Sequence, residues 1–143
     1  MVAGTLATAG LGAAAGIHAA WAAGSTWPVD SPASLADLVV GRQPMPTQGM
    51  CLGVAALLTG ATATVAIDTV RDRRATTVAR RAHLGARAVG CALAIRGVGG
   101  FITSALGMGS PTPRYRRWDL LLFSPLCLAL SAATFVGSAN NDG

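Results

Sequence analysis

Residues 49–69 read GMCLGVAALLTGATATVAIDT, a run with no charge before Asp68. A helix rises about 1.5 Å per residue, so about 20 residues cross the ~30 Å hydrocarbon core of a bilayer. Inside that core each backbone N–H and C=O must find its partner within the segment, which leaves the α-helix as the form such a run can take. Working outward, three further stretches have the same character. The first covers residues 2–24, with Leu6, Leu11 and Ile17 among Ala and Gly, the third residues 88–108, and the fourth residues 119–138, with Pro125 inside it. A cleaved signal peptide is the competing reading of the first stretch. The lack of Arg or Lys before it, and an apolar run longer than the usual ~7–15 residues, favour its retention as a span. The expected fold class is all-α: a four-transmembrane-helix bundle forming one integral membrane domain over residues 1–143.

The connections differ in kind. Residues 25–48 are too long for a structureless link, since such loops rarely exceed ~12–15 residues. Within them Ser31 can cap a helix, Pro32 suits its first turn and Gly41 can end it. A short amphipathic helix is therefore expected there, with Leu35, Leu38 and Val39 on one side, lying on the membrane surface or covering a pocket. Residues 71–87 are the most basic segment, with Arg71, Arg73, Arg74, Arg80, Arg81 and Arg87. Residues 109–118 form a polar turn containing Arg114, Arg116 and Arg117, and residues 139–143 a short polar tail. The loops opposite the basic segment carry four Arg against its six. The positive-inside rule then places residues 71–87 and both termini in the cytoplasm of a bacterial plasma membrane, with residues 25–48 outside. Trp21, Trp27, Tyr115 and Trp118 fall near the outer ends of the spans, where an aromatic belt belongs.

Composition narrows the function classes. The chain is 52% hydrophobic and 12% charged, about half the ~25% charge of a soluble domain. All basic residues are Arg and all acidic residues are Asp, which with the abundant Ala and Gly reads as codon bias. The Arg flank apolar spans, so a membrane surface and not nucleic acid is the partner they suit. With no Lys there is no phosphate-binding Gly–Lys loop, and neither Gly-X-Ser-X-Gly nor Cys-X-X-Cys occurs. Cys51, Cys91 and Cys127 are widely spaced and show no ligand pattern with His18 or His83. They read as small apolar residues in helices, and no metal or cofactor is expected.

Few polar residues lie where polarity is costly. Arg96 sits about midway along the third stretch, where an Arg costs roughly 2.5–3.5 kcal/mol on insertion scales. Its helical neighbours are Ala92, Leu93, Gly99 and Gly100, with Thr103 a turn further out. The outward half of this face reads as a groove with one cation at its base, closed below by Leu93. Asp119, at the outer start of the fourth stretch, is the natural counter-ion, because the long Arg96 side chain can snorkel toward it. That pair is either a structural tie or a site that binds or protonates something. His18 shares a face with Trp21 and Ser25, and reads either as a functional intramembrane His or as a neutral His bonded to a backbone carbonyl. Asp68 is explained by an interfacial ion pair with Arg71, three residues on.

The order Gly16-Ile-His18-Ala-Ala-Trp21, Trp27-Pro28, Arg96-Gly-Val-Gly-Gly100, Asp119 and Phe123-Ser-Pro-Leu-Cys127 resembles a family of small bacterial four-helix membrane proteins catalogued only as a domain of unknown function. The resemblance covers nearly the whole chain. It implies the fold and marks those positions but supplies no activity. The architecture also looks loosely like the four-helix sterol-isomerase-type domain, which protonates a double bond within the bilayer and relies on acidic residues, whereas this chain has no Glu.

Three functional readings follow. The first is a membrane-embedded enzyme or binder, isomerase- or cyclase-like, for a lipid-like or isoprenoid molecule. Its catalytic set would be His18, Arg96 and Asp119, and its pocket would be lined by Trp21, Trp27, Thr103, Tyr115 and Trp118. The second is a non-catalytic subunit or partner of a larger membrane complex, for which the many small residues suit helix–helix association. The third is a small transporter working as a homodimer.

Overall fold

The computed structural model describes residues 2–70, 76–109 and 111–139. They form helices α1 (Val2–Ala22), α2 (Pro32–Val39), α3 (Gln48–Val70), α4 (Thr77–Leu106), α5 (Pro113–Trp118) and α6 (Ser124–Ala139), with a π-helical turn Asp119–Phe123 joining the last two. α5, the π turn and α6 run as one helix, Pro113–Ala139. With α1, α3 and α4 it makes four helices long and apolar enough to cross a membrane. α1 and α4 both lie against α3 and against α6.

Local chemistry sets the boundaries. Ser31 Oγ accepts from the Ser34 N–H at 3.2 Å, Pro32 occupies the first turn of α2, and Gly41 follows the helix with φ +79°, so the short helix expected from those residues is present. Of the three apolar residues expected on one side, Leu35 and Leu38 are buried and Val39 is half-buried. α4 starts about eleven residues before the expected position 88. Thr76 Oγ1 accepts from the Ala79 N–H at 3.1 Å, and the Ala- and Arg-rich sequence behind this cap favours helix. Arg80, Arg81 and Arg87 therefore project from a helical extension and not from a loop. At 30 residues α4 is ~45 Å long, more than the hydrocarbon core needs. Its far end closes on Gly107, φ +65°, with Gly107 N–H bonded to Ser104 O (3.3 Å) and Met108 N–H to Thr103 O (2.9 Å), the paired bonds of a Schellman end.

The fourth span likewise begins early. Thr112 caps Pro113, so residues 113–118 of the supposed turn are helical. Pro125 explains the π turn that follows. It has no N–H to offer Leu121 O, and its ring crowds that carbonyl. Widening the preceding turn relieves the crowding, and the Ser124 N–H then reaches Asp119 O.

The core mixes alanine with a few leucine and valine side chains. Ala7, Leu11, Val65 and Ala86 are at most 2% exposed and pack with Leu58, Ala61, Val89, Leu93 and Ala133. Lipid tails are as apolar as Leu, so helix association in a bilayer relies on close backbone approach. Gly137 shows how close: a Cβ there would stand 2.8 Å from Gly4 Cα, with nothing flexible to yield. Large apolar side chains point outward instead, including Leu57, Ile95, Leu106 and Leu121.

Candidate polar site at the Arg96–Asp119 pair

The site is built on a stripe of α4 that has almost no side chains. Gly97, Gly100 and Ser104 are buried against the Pro113–Ala139 helix. A Cβ on Gly97 would lie 2.7 Å from Leu128 Cγ and 3.1 Å from Ser124 O. Through that gap the Arg96 side chain runs along α4 toward its C-terminal end and crosses Gly100. A Cβ on Gly100 would be 2.6 Å from Ser124 Oγ and 3.1 Å from Asp119 Oδ2, and would collide with Arg96 Nη1. The snorkelling anticipated from sequence thus takes place inside the bundle, over a glycine.

Arg96 Nη2 donates to Asp119 Oδ1 at 3.0 Å and to the Tyr115 hydroxyl at 3.3 Å. Ser104 Oγ donates to Asp119 Oδ2 at 2.5 Å. Asp119 is wholly buried, whereas the Arg96 side chain is 46% exposed. The buried charge therefore has both oxygens occupied, as an uncompensated carboxylate in a bundle would require. The π turn places Asp119 in position. Tyr115 precedes it by four residues on the same face, and its ring lies 6.4 Å from that of Phe123. Arg116 is used elsewhere: its Nε donates to Ser104 O at 2.9 Å and its Nη2 to Ala105 O at 3.4 Å, complementing the C-terminal dipole of α4.

α2 covers this end of the bundle. Thr112 Oγ1 donates to Asp37 O at 2.8 Å and Thr112 N–H to Gly41 O at 2.9 Å. The Tyr115 ring packs so closely on Gly41 that a Cβ would sit 2.8 Å from Tyr115 Cγ. The short helix therefore docks on the protein beside the polar pair.

The other sequence candidates gather separately. His18 Nδ1 is 2.9 Å from Ala14 O, a bond that puts the ring proton on Nδ1. Its ring meets Trp21 edge-on at 4.9 Å, and Trp21 Nε1 donates to Trp27 O at 2.7 Å. Among the described residues no hydrogen bond, ion pair or ring contact joins this group to Arg96 or Asp119. Thr103 Oγ1 turns back to Gly99 O and Gly100 O of its own helix. Trp118 is 43% exposed and lines a separate surface groove with Arg114, Arg117 and Leu121.

Two features escaped the sequence reading. Ser124 Oγ is buried beside the pair without a hydrogen-bond partner. At the other end, Asp68 is 2% exposed, lies 3.2 Å from His83 Nδ1 and accepts from Ser138 Oγ at 2.6 Å. The partner expected for Asp68, Arg71, lies outside the described residues. Cys51, Cys91 and Cys127 are free, and among the described residues no group of three His, Cys or Asp could hold a metal ion.

The family described as "Protein of unknown function (DUF3995)" matches residues 11–134, and the chain belongs to it. Neither curated proteins nor solved structures give a match. The likeness to sterol-isomerase-type domains gains no support from these comparisons.

Proposed function

We propose that this member of the family is a multi-pass membrane protein that binds an oxygen-bearing, lipid-like molecule at Arg96, with Asp119 and Tyr115 holding the guanidinium in place. One observation carries the reading. A guanidinium has five N–H donors, and the bonds to Asp119 and Tyr115 use only the two on Nη2. The Nε and Nη1 donors of Arg96 have no partner among the described residues; Nη1 lies over the buried Gly100, and the side chain as a whole is half-exposed on a spanning helix. An unmade donor shielded from water costs several kcal/mol, so an acceptor is required there. A carboxylate, phosphate, carbonyl or hydroxyl on an otherwise apolar molecule supplies it, and the open space at Gly99 leaves room beside the cation. In this reading Asp119 is an anchor and not an acid or base, because both its oxygens are occupied. The Arg-rich end and both termini are cytoplasmic, and the aromatic end with α2 faces out.

The test is lipid-like material retained by the purified full-length protein, measured by native mass spectrometry. A second preparation carries Arg96→Gln with Asp119→Asn, which keeps a hydrogen-bonding pair but removes both charges. Loss of one retained species from the double variant, at unchanged helical content, is the expected result. An identical retained set in both preparations refutes the assignment. A fusion reporter at the C-terminus checks the orientation independently.

A second reading, association with another membrane helix, is favoured by Gly53 and Gly60 on α3, which face open space two turns apart. Isolation of a stable complex that Gly60→Leu abolishes would establish it.

A further inference from the structure

α5 and the π turn that continues it present three faces with three different fates. Tyr115 and Asp119 point inward to Arg96, and Arg116 ties down the end of α4. The third face carries Arg114, Arg117, Trp118 and Leu121, a spacing of three, four and seven residues that makes one helical stripe. With Pro113 these residues line an open groove of about 550 Å³, within the ~300–1,000 Å³ of ligand clefts. Arg114 and Arg117 are exposed and have no hydrogen bond or ion pair among the described residues. Trp118 is 43% and Leu121 68% exposed.

We infer that this groove is a binding site for one anionic phospholipid. The order of chemistry along the stripe is the argument. From Arg114 to Leu121 the helix advances ~10 Å and passes from two cations through an indole to an exposed aliphatic side chain. A phospholipid standing in a leaflet has the same sequence of parts along the membrane normal: phosphate, ester region, acyl chain. Two guanidiniums one turn apart can share the phosphate oxygens, with bidentate geometry that a lysine would not give. Trp118 suits the boundary between headgroup and hydrocarbon, and Leu121 meets the first acyl methylenes. The site is distinct from the Arg96 donors and stands or falls without them, since no residue is shared.

Fluorescence quenching by brominated lipid tests it. The full-length protein carrying Trp21→Phe and Trp27→Phe, so that Trp118 is the remaining indole, is reconstituted in phosphatidylcholine vesicles. Phosphatidylglycerol or phosphatidylcholine with brominated acyl chains is then added in increasing proportion. A basic residue near an anionic surface favours it by about fivefold, so the Arg pair is expected to favour phosphatidylglycerol ~25-fold. Arg114→Gln with Arg117→Gln should bring the two lipids to parity, and Arg80→Gln with Arg81→Gln, at the other end of the bundle, should leave the preference intact. Raising the salt to about 1 M, which shortens the screening length to ~3 Å, should weaken the preference in the unaltered chain and needs no variant to fold. Equal quenching by both lipids, or a preference that survives loss of Arg114 and Arg117, overturns the proposal. Displacement of phosphatidylglycerol by millimolar inorganic phosphate also overturns it, by assigning the groove to the free anion.

Discussion

Gly99 and Gly100 are adjacent, yet alanine at each is expected to act in opposite directions. At Gly99 an added Cβ meets nothing within 4 Å. Gly99→Ala should therefore show only the helix preference of Ala over Gly, a gain of about 0.5–1 kcal/mol. At Gly100 the same Cβ would lie 2.6 Å from Ser124 Oγ and would collide with Arg96 Nη1. Two responses are open. The Arg96 guanidinium can swing away, but Asp119 and Tyr115 hold it, and withdrawing it leaves a wholly buried carboxylate unpaired at a cost of about 3–5 kcal/mol. Alternatively α4 and α6 separate far enough to clear both contacts, an overpacking response that costs about 1–3 kcal/mol. The cheaper response sets the outcome. Comparing the two alanine variants cancels the propensity term, since each replaces a helical glycine of α4. Gly100→Ala should thus be less stable than Gly99→Ala by about 1–3 kcal/mol. Unfolding of the purified chain by SDS in mixed micelles, followed by circular dichroism, gives both values. In an Arg96→Gln background the gap should narrow, because one of the two colliding groups has gone. Equal stability of the two variants, within about 0.5 kcal/mol, would show that the guanidinium does not cross Gly100 and would sink the geometry of the site.

Three further outcomes follow from the same contacts. Arg96→Gln alone should lose about 3–5 kcal/mol, and Arg96→Gln with Asp119→Asn distinctly less, because the double change removes the buried charge along with its partner; a double-mutant cycle in the unfolding assay reads the coupling, and simple additivity would contradict it. Ser138→Ala should cost about 1.5–3 kcal/mol by removing a hydroxyl that donates to the buried Asp68 at 2.6 Å, and loss of less than about 0.5 kcal/mol would show that this bond does not form. Ser124→Ala should be neutral or slightly stabilising, since its buried hydroxyl makes no hydrogen bond, and a loss above about 1 kcal/mol would reveal a partner for it.

What could be read in the sequence follows from the range of each interaction. The four spans need only length and apolar content, and α2 only the local trio Ser31, Pro32 and Gly41, so both were legible. Arg96 with Asp119 was legible as well, because a charge in mid-span narrows its own partners to the few opposite charges at reachable depth. The start of α4 was not. A cluster of Arg reads as a loop when charge alone is weighed, yet Thr76 and the Ala–Arg run favour helix whether lipid or water surrounds it. The widened turn at Asp119 needed the clash of Pro125 with Leu121 O to be followed into three dimensions. The pairing of Asp68 with His83 failed for a different reason: sequence reasoning scores neighbours three and four residues apart, and these two stand fifteen apart on different helices. Together the two ends reveal a single device. At each end a buried Asp receives a serine hydroxyl from another helix, Ser104 for Asp119 and Ser138 for Asp68, and α4 supplies a basic side chain to each, Arg96 and His83. Arg96 reaches up α4 to the level of Ser104, 21 residues from His83, so the ties fall ~30 Å from each other along α4. Between them the helices meet through glycine and alanine, surfaces that allow close approach but specify register poorly. Two directional polar ties at opposite ends supply that register, which is why so apolar a bundle keeps Asp68 and Asp119 buried.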